Sequence, residues 1–212
     1  RTVSSAASDV YKRQVYNLLM KLNFKFLELK FMGSAAEFDQ CLQHDMREIA
    51  FVGASNAGKS SAINAISNQK KLAKTSKTPG KTKLFNFFKT KLGYIVDFPG
   101  YGYSKVSKSQ KKDWAKELPK YFSSRENLIG AVLFTDIRNP MRELDLTMFE
   151  MLATYDLPIL IVLTKTDKVS KDEAETVYKK INNSFSDSLS FSIKDNTSIE
   201  KLVKRINVLL SS

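Results

Sequence analysis

Cysteine is almost missing from this sequence. Cys41 is the single one, so no intramolecular disulfide framework can hold the fold together. Histidine is equally scarce, and Cys41 with His44 falls short of the ligand set that a structural zinc site requires. Long apolar runs are missing too. The most apolar stretches, Ile129–Phe134 and Pro158–Leu163, are far shorter than the ~20 residues needed to cross a bilayer. No charged start followed by an apolar middle and a small-residue cleavage site marks a secretory signal. No stable membrane insertion is expected, and the cytoplasm is the expected compartment.

The 212 residues are 42% hydrophobic and 26% charged, ordinary values for a soluble globular protein. The length suits one α/β domain, alone or with a short appendage. The net charge of +12 is informative through its position. Residues 48–112 hold 13 Lys/Arg against 2 Asp/Glu, while residues 1–47 hold 7 against 5 and residues 113–212 hold 14 against 15. Nearly all the excess lies in one stretch. A localised basic face attracts polyanions by steering and counterion release, so nucleic acid is an expected partner. No DNA partner is expected, and the protein is expected to be a monomer. The competing reading of the lysines is a solvated face plus contacts to a bound phosphate.

Along the chain, residues 1–14 (RTVSSAASDVYKRQ) resemble translated adapter sequence and stand outside the fold argument. Residues 1–19 are expected to be a non-native or disordered leader, with Met20 as a start. Residues 20–46 form a short extended or helical lead-in, with Phe24, Phe26, Leu27, Leu29 and Phe31 as packing residues. From residue 47 to 212 a regular domain is expected. EIAFVG (48–53) reads as a strand and Ser60–Ile66 as a helix, with Ile63 and Ile66 at i,i+3 spacing. LFNFFKT (84–90) and GYIVDF (93–98) read as paired strands about a turn at Lys91–Gly93. A helix is expected around Trp114–Phe122. A strand over 128–137, a helix over 143–155 and a strand over 158–163 follow, then helix 171–183, strand 188–192 and helix 198–210. Alternating strands and helices imply an α/β fold, a largely parallel sheet covered on both faces.

The strongest motif is GASNAGKS, comprising Gly53, Ala54, Ser55, Asn56, Ala57, Gly58, Lys59 and Ser60. It matches G-x-x-x-x-G-K-[ST] and sits between a strand and a helix, the context a phosphate loop needs. Glycines let the backbone curl its N–H groups toward phosphates, and the next helix points its positive end at the same anion. Lys59 is expected to reach the β- and γ-phosphates, and the Ser60 hydroxyl to bind Mg²⁺. DFPG (Asp97, Phe98, Pro99, Gly100) closes a later strand; Asp97 suits a magnesium–water contact and Gly100 can offer its N–H to a γ-phosphate. TKTD (Thr164, Lys165, Thr166, Asp167) closes another strand. There a carboxylate can accept both N1–H and the 2-amino group of guanine, donors that adenine lacks, so GTP and GDP are the expected ligands. Between the first two motifs, KTPGKTKL (77–84) offers Thr82 as a second magnesium ligand, with Thr78 as the alternative. FSI (Phe191, Ser192, Ile193) is placed to offer a backbone N–H to the base oxygen, although Ser192 also suits a helix cap or a surface serine.

These residues resemble the EngB (YihA/YsxC) GTPases, bacterial ribosome-assembly factors of the TrmE-Era-EngA-EngB-Septin-like class. The resemblance rests on EIAFVGASNAGKSSAIN (48–64), TSKTPGKTKLFNFF (75–88), DFPGYGYSKV (97–106), LTKTDK (163–168) and TDIRNP (135–140) followed by Asp145. It covers about residues 45–210. It implies a P-loop G domain with a mixed six-stranded sheet, Mg²⁺ and GTP/GDP binding, maturation of the large ribosomal subunit and its rRNA, and a requirement in cell division and septation. It places nucleotide contacts on Gly53–Ser60, on Gly80, Lys81, Thr82, Lys83 and Leu84, on Asp97–Gly100, on Thr164–Asp167 and on Phe191–Ile193, with metal contacts on Ser60 and Thr82. Two positions depart from the family pattern: Ala54, where Arg is common, and Ile193, where a small residue is usual.

For hydrolysis, Lys59, Thr82 and Gly100 are the candidate catalytic residues. Tyr101 follows Gly100, where the Ras-like pattern has a water-orienting Gln. Slow intrinsic turnover is therefore expected, raised by a partner or a cation. Asn56 stands where potassium-activated GTPases carry an Asn that helps hold K⁺. Two other classes compete with the assembly GTPase: a regulatory module that switches a division or membrane partner with little catalysis, and a P-loop kinase or ATPase.

Overall fold

The protein was analysed as a computed structural model that describes residues 26–74, 85–102, 117–185 and 187–211. Its strands are β1 (Lys30–Ala35), β2 (Glu48–Gly53), β3 (Phe85–Lys89), β4 (Tyr94–Asp97), β5 (Leu128–Asp136), β6 (Ile159–Thr164) and β7 (Ser188–Ser190). The helices are α1 (Lys59–Ile66), α2 (residues 117–124), α3 (Glu143–Thr154), α4 (Lys171–Phe185) and α5 (Asn196–Ser211).

All seven strands form one sheet in the order β1-β3-β4-β2-β5-β6-β7. From β4 across to β7 every pairing is parallel, whereas β1–β3 and β3–β4 are antiparallel. The expected α/β fold is therefore present, with seven strands rather than six. The added strand is β1, from the lead-in, which extends the antiparallel edge. Its pairing could not be read from alternation, because β1 is mostly exposed and lacks a periodic apolar face. Leu27 and Leu29 are buried as expected, but Phe31 is 46% exposed and is not a core residue. Phe24 and Trp114 lie outside the described residues.

The central strands explain themselves. Every residue of β2 and β4 is buried, so both faces of the sheet are covered there, and a continuous apolar run satisfies both. Helix α5 buries Ile199, Leu202, Val203, Ile206 and Leu210, an i,i+3,i+4 stripe; α1 packs against it, and both rest on β2. On the antiparallel side the core is aromatic. Phe98 packs against Phe85, Tyr121 and Phe122 with ring centroids 5.0, 4.8 and 5.4 Å away.

At the amino end of β2, Glu48 is fully buried and accepts from Arg125 Nε (2.9 Å), Arg125 Nη2 (2.7 Å) and the Tyr121 hydroxyl (2.8 Å). His44 Nε2 lies 2.8 Å from the same carboxylate, and its ring stacks on Tyr94. One carboxylate thus ties the lead-in, β2 and α2 together. Chain order runs β2, β3, β4 to one side and β5, β6, β7 to the other, so β2 is a topological switch point. Ligands of open α/β sheets bind beyond the carboxyl ends of such strands.

Candidate nucleotide site

Beyond β2 the chain must turn sharply into α1, and its backbone shows how. Gly53 adopts φ 154°, and a Cβ there would lie 2.5 Å from the Phe134 carbonyl oxygen of the neighbouring strand. Gly58, at φ 102°, caps α1 in the left-handed region that glycine favours. Asn56 also has positive φ, 69°. The resulting loop curls around Lys59, whose buried Nζ donates to the Gly53 carbonyl at 3.0 Å. Burial lowers the Lys59 pKa, with Asp97 and Asp145 opposing.

Asp97 ends β4 beside this loop and is 4% exposed. Burial pushes its carboxyl up to about 6, while Lys59 pulls it back. Its Oδ1 is buried with no hydrogen-bond partner among the described residues. A buried, unpaired carboxylate oxygen at a strand tip fits an outer contact to a hydrated cation. Among the described residues no group of three or more His, Cys, Asp or Glu could hold a metal; hydroxyl and phosphate oxygens are hard donors of the kind magnesium takes. Ser60 lies in the first turn of α1 and is only partly buried, which suits that donor set. Gly100 completes the wall, since a Cβ there would sit 2.9 Å from Ser55 Cα and 3.3 Å from Lys59 Nζ. Phe98, by contrast, turns into the aromatic core.

The TKTD corner is bonded directly to the loop. The Thr164 hydroxyl donates to the Ala57 carbonyl at 2.7 Å, and Lys165 Nζ donates to the Asn56 carbonyl at 2.7 Å. Lys165 has φ 61°, which swings its stem across the loop. Its ammonium also meets Asp136 Oδ2 at 2.9 Å. Asp136 accepts three further bonds from Arg138, from its backbone N–H, Nε and Nη2, and the side-chain bonds first, then Lys165, hold its carboxyl well below the usual range. Asp136 and Arg138 were missed as site residues in the sequence. The available signal was an acidic residue at a strand tip, the same signal that marked Asp97.

Asp167 Oδ1 accepts from the Ser192 hydroxyl at 2.9 Å, and Lys194 Nζ lies 3.3 Å from Oδ2. The Ser192 bond and Lys194 hold the Asp167 pKa down. Ser192 is buried, so it is not a surface serine. Its own N–H donates to the Ser198 hydroxyl and the Lys194 N–H donates to Ser192 Oγ, which leaves the N–H of exposed Ile193 as the donor between them. Phe191 is core. The structure therefore brings together Gly53–Ser60, Asp97, Gly100, Thr164–Asp167, Ser192 and Ile193. Gly80, Lys81, Thr82, Lys83 and Leu84, with the alternative Thr78, lie outside the described residues.

Tyr101 is 9% exposed, and its hydroxyl donates to Asp145 Oδ1 at 2.8 Å. The side chain that follows Gly100 is thus committed elsewhere than to an attacking water. Cys41 and His44 have packing roles, and burial pushes the Cys41 thiol up to about 12, which keeps it unreactive. Among the described residues no helix is long and apolar enough to cross a membrane.

Comparison with known proteins identifies the family. Residues 48–165 match the family model described as 50S ribosome-binding GTPase. The chain is 42% identical to a probable GTP-binding protein EngB of Mannheimia succiniciproducens over 91% of this chain and 96% of that protein. It is 45% identical to one from Coxiella burnetii over 76% and 79%. Among solved structures, a probable GTP-binding protein engB superposes with TM-score 0.63 at 24% identity, over 77% of this chain and 98% of that one. The FeoB G-domain of Methanococcus jannaschii does so with TM-score 0.52 at 21% identity, over 80% and 100%; both likenesses show the shared fold. A phosphate loop, a guanine-type corner and these relatives converge: the chain belongs to the EngB family of GTP-binding proteins, within the 50S ribosome-binding GTPases.

Proposed function

We propose that the protein is a slow GTP hydrolase that acts as a nucleotide-dependent factor in assembly of the large ribosomal subunit, with an associated requirement in cell division and septation. The observation that carries the nucleotide reading is the pair of bonds from Thr164 and Lys165 to Ala57 and Asn56. They set a base-reading carboxylate at a fixed offset from a phosphate loop. Asp167 supplies the acceptor for guanine N1–H and the 2-amino group, and the Ile193 N–H meets the base oxygen. The Lys165 stem covers the base. Lys59 and the loop N–H groups other than those of Ser55 and Ala57, which donate to the Tyr101 and Ala54 carbonyls, hold the β- and γ-phosphates, and Gly100 presents its N–H to the γ-phosphate. The Ser60 hydroxyl, Asp97 through a water and Thr82 would hold Mg²⁺, which would supply neutralisation of phosphate charge. Lys59 and the Gly100 N–H then stabilise charge on the transferred phosphoryl group. With Tyr101 turned to Asp145, the chain offers no side chain at that position to orient the water, which supports slow unaided turnover.

Asn56, exposed in the loop, is the residue proposed to help hold K⁺. Turnover in potassium and sodium buffers tests this, and equal rates would remove it. For the partner, the support is the basic stretch 48–112 together with the family. Lys70, Lys71, Lys74, Lys89 and Lys91 are its exposed lysines among the described residues. Co-sedimentation with large subunits should be stronger with a GTP analogue than with GDP and should weaken with salt. Binding that ignores both variables overturns the assembly reading and favours a switch for another partner. Thermal protection by ADP as strong as by GDP overturns the guanine reading.

A further inference from the structure

Tyr101 is tied at both ends. Its backbone carbonyl accepts the Ser55 N–H at 2.8 Å, and a parallel bridge joins it to Ala54. Its hydroxyl donates to Asp145 Oδ1 at 2.8 Å, inside the protein, where Asp145 is 1% exposed. Asp145 is itself immobilised. Its Oδ2 accepts from the Thr135 hydroxyl at 2.9 Å and from the Arg142 N–H at 3.3 Å, and Thr135 Oγ1 accepts the Met141 N–H at 3.0 Å. The tyrosine ring is thus a strut between the phosphate loop and the start of α3. Gly100 is one peptide away from that strut, pressed against Ser55 and Lys59.

We propose that the Tyr101–Asp145 hydrogen bond is a positioning device that presets the Gly100 N–H for a γ-phosphate and so strengthens GTP binding relative to GDP binding. The inference rests on the GTP reading above. A donor already held in place loses little freedom when its acceptor arrives, whereas a loose one must be ordered at that moment. GDP carries no γ-phosphate, so its affinity is indifferent to how Gly100 is held. Burial and the adjacent carboxylate both raise the Tyr101 phenol, so its hydroxyl keeps its proton and remains a donor at working pH. The strut acts through Gly100 and touches no reacting atom.

The test compares the parent chain with Tyr101→Phe and Asp145→Asn, titrated with fluorescent GDP and with a non-hydrolysable GTP analogue in the presence of Mg²⁺. Tyr101→Phe keeps the ring and removes only the donor. It is expected to weaken the analogue about fivefold to tenfold and to leave GDP within about twofold. Asp145→Asn keeps one acceptor oxygen where Asp145 uses two, so either Tyr101 or the Thr135 and Arg142 donors lose their partner, and it is expected to give a loss confined to the analogue and no larger than that of Tyr101→Phe. If Tyr101→Phe does not fold, Thr135→Val stands in, removing an anchor of Asp145 and giving a smaller loss confined to the analogue. Equal shifts for both nucleotides, no shift, or tighter analogue binding would each overturn the proposal. A parent chain that binds neither guanine nucleotide overturns the GTP reading instead.

Discussion

Lys165 Nζ donates to the backbone carbonyl of Asn56 at 2.7 Å, across 109 residues of chain. The Thr164 hydroxyl makes a second such bond to Ala57. Both acceptors are backbone atoms, so the shape of the loop itself, and not a side-chain rotamer on it, sets where Thr164 and Lys165 can bond. These bonds join the two halves of the candidate site, so the residues that hold Lys165 are expected to matter for affinity.

Asp136 is the residue to test first. It holds Lys165 from the far side of the loop while Arg138 holds Asp136. Asp136→Asn removes the charge that attracts the ammonium while keeping the size of the side chain. GDP and a GTP analogue are expected to weaken together, by about threefold to tenfold, the loss of one charge-assisted bond. Competition titration reads this directly. A loss confined to the analogue would assign Asp136 to the γ-phosphate side instead.

Asp167→Asn exchanges an acceptor oxygen for a donor amide. Guanine then presents its 2-amino donor to another donor, whereas xanthine has a carbonyl at that position and regains a partner. Binding of GDP should fall by about a hundredfold or more and binding of XDP should rise correspondingly. Thermal shifts with each diphosphate measure the exchange; unchanged GDP protection would remove Asp167 from the base pocket.

Burial pushes the Asp97 carboxyl up to about 6 in the folded protein, from an ordinary value of 3.8. Its folded pKa is raised, so the native state holds the proton over a range where the unfolded chain has lost it. The nucleotide-free protein should therefore lose stability as pH rises from about 4 through about 6, by about 3 kcal/mol at most, and then level off. Asp97→Asn cannot ionise. Its denaturation midpoint, measured without nucleotide or Mg²⁺, should exceed that of the parent above pH 6 and approach it near pH 4. An offset that is constant with pH would contradict this account.

Arg125 and Glu48 make a buried pair with side chains 6% and 0% exposed. Arg125→Met leaves the carboxylate with His44 and Tyr121 alone and should cost about 3–5 kcal/mol in chemical denaturation. Adding Glu48→Leu to that variant should recover part of the loss, since no buried charge then remains unpaired. If the double variant is weaker than the single one, the cost lies in packing and not in the charge.

By itself the sequence determined the parts whose causes are local. β2, α1, the β3–β4 hairpin, β5 and α3 lie within a residue or two of where apolar periodicity placed them, because one stretch of chain carries the whole signal. The phosphate loop and TKTD were legible for the same reason: glycines, a lysine and an acceptor at fixed spacing are a chemical statement within a few residues. Tertiary structure decided what depends on partners distant in sequence. β1 became a strand because β3 offered it an edge, not through any alternation of its own. Glu48 became the hub of a buried network only once Arg125 and Tyr121 arrived from 73 to 77 residues away. Tyr101 could be read in the sequence as not a glutamine, but its tie to Asp145 arises only where β4 and α3 converge on the loop. Spacing along a chain encodes a backbone's local path; a hydrogen bond across the sheet depends on the packing that brings its two ends together.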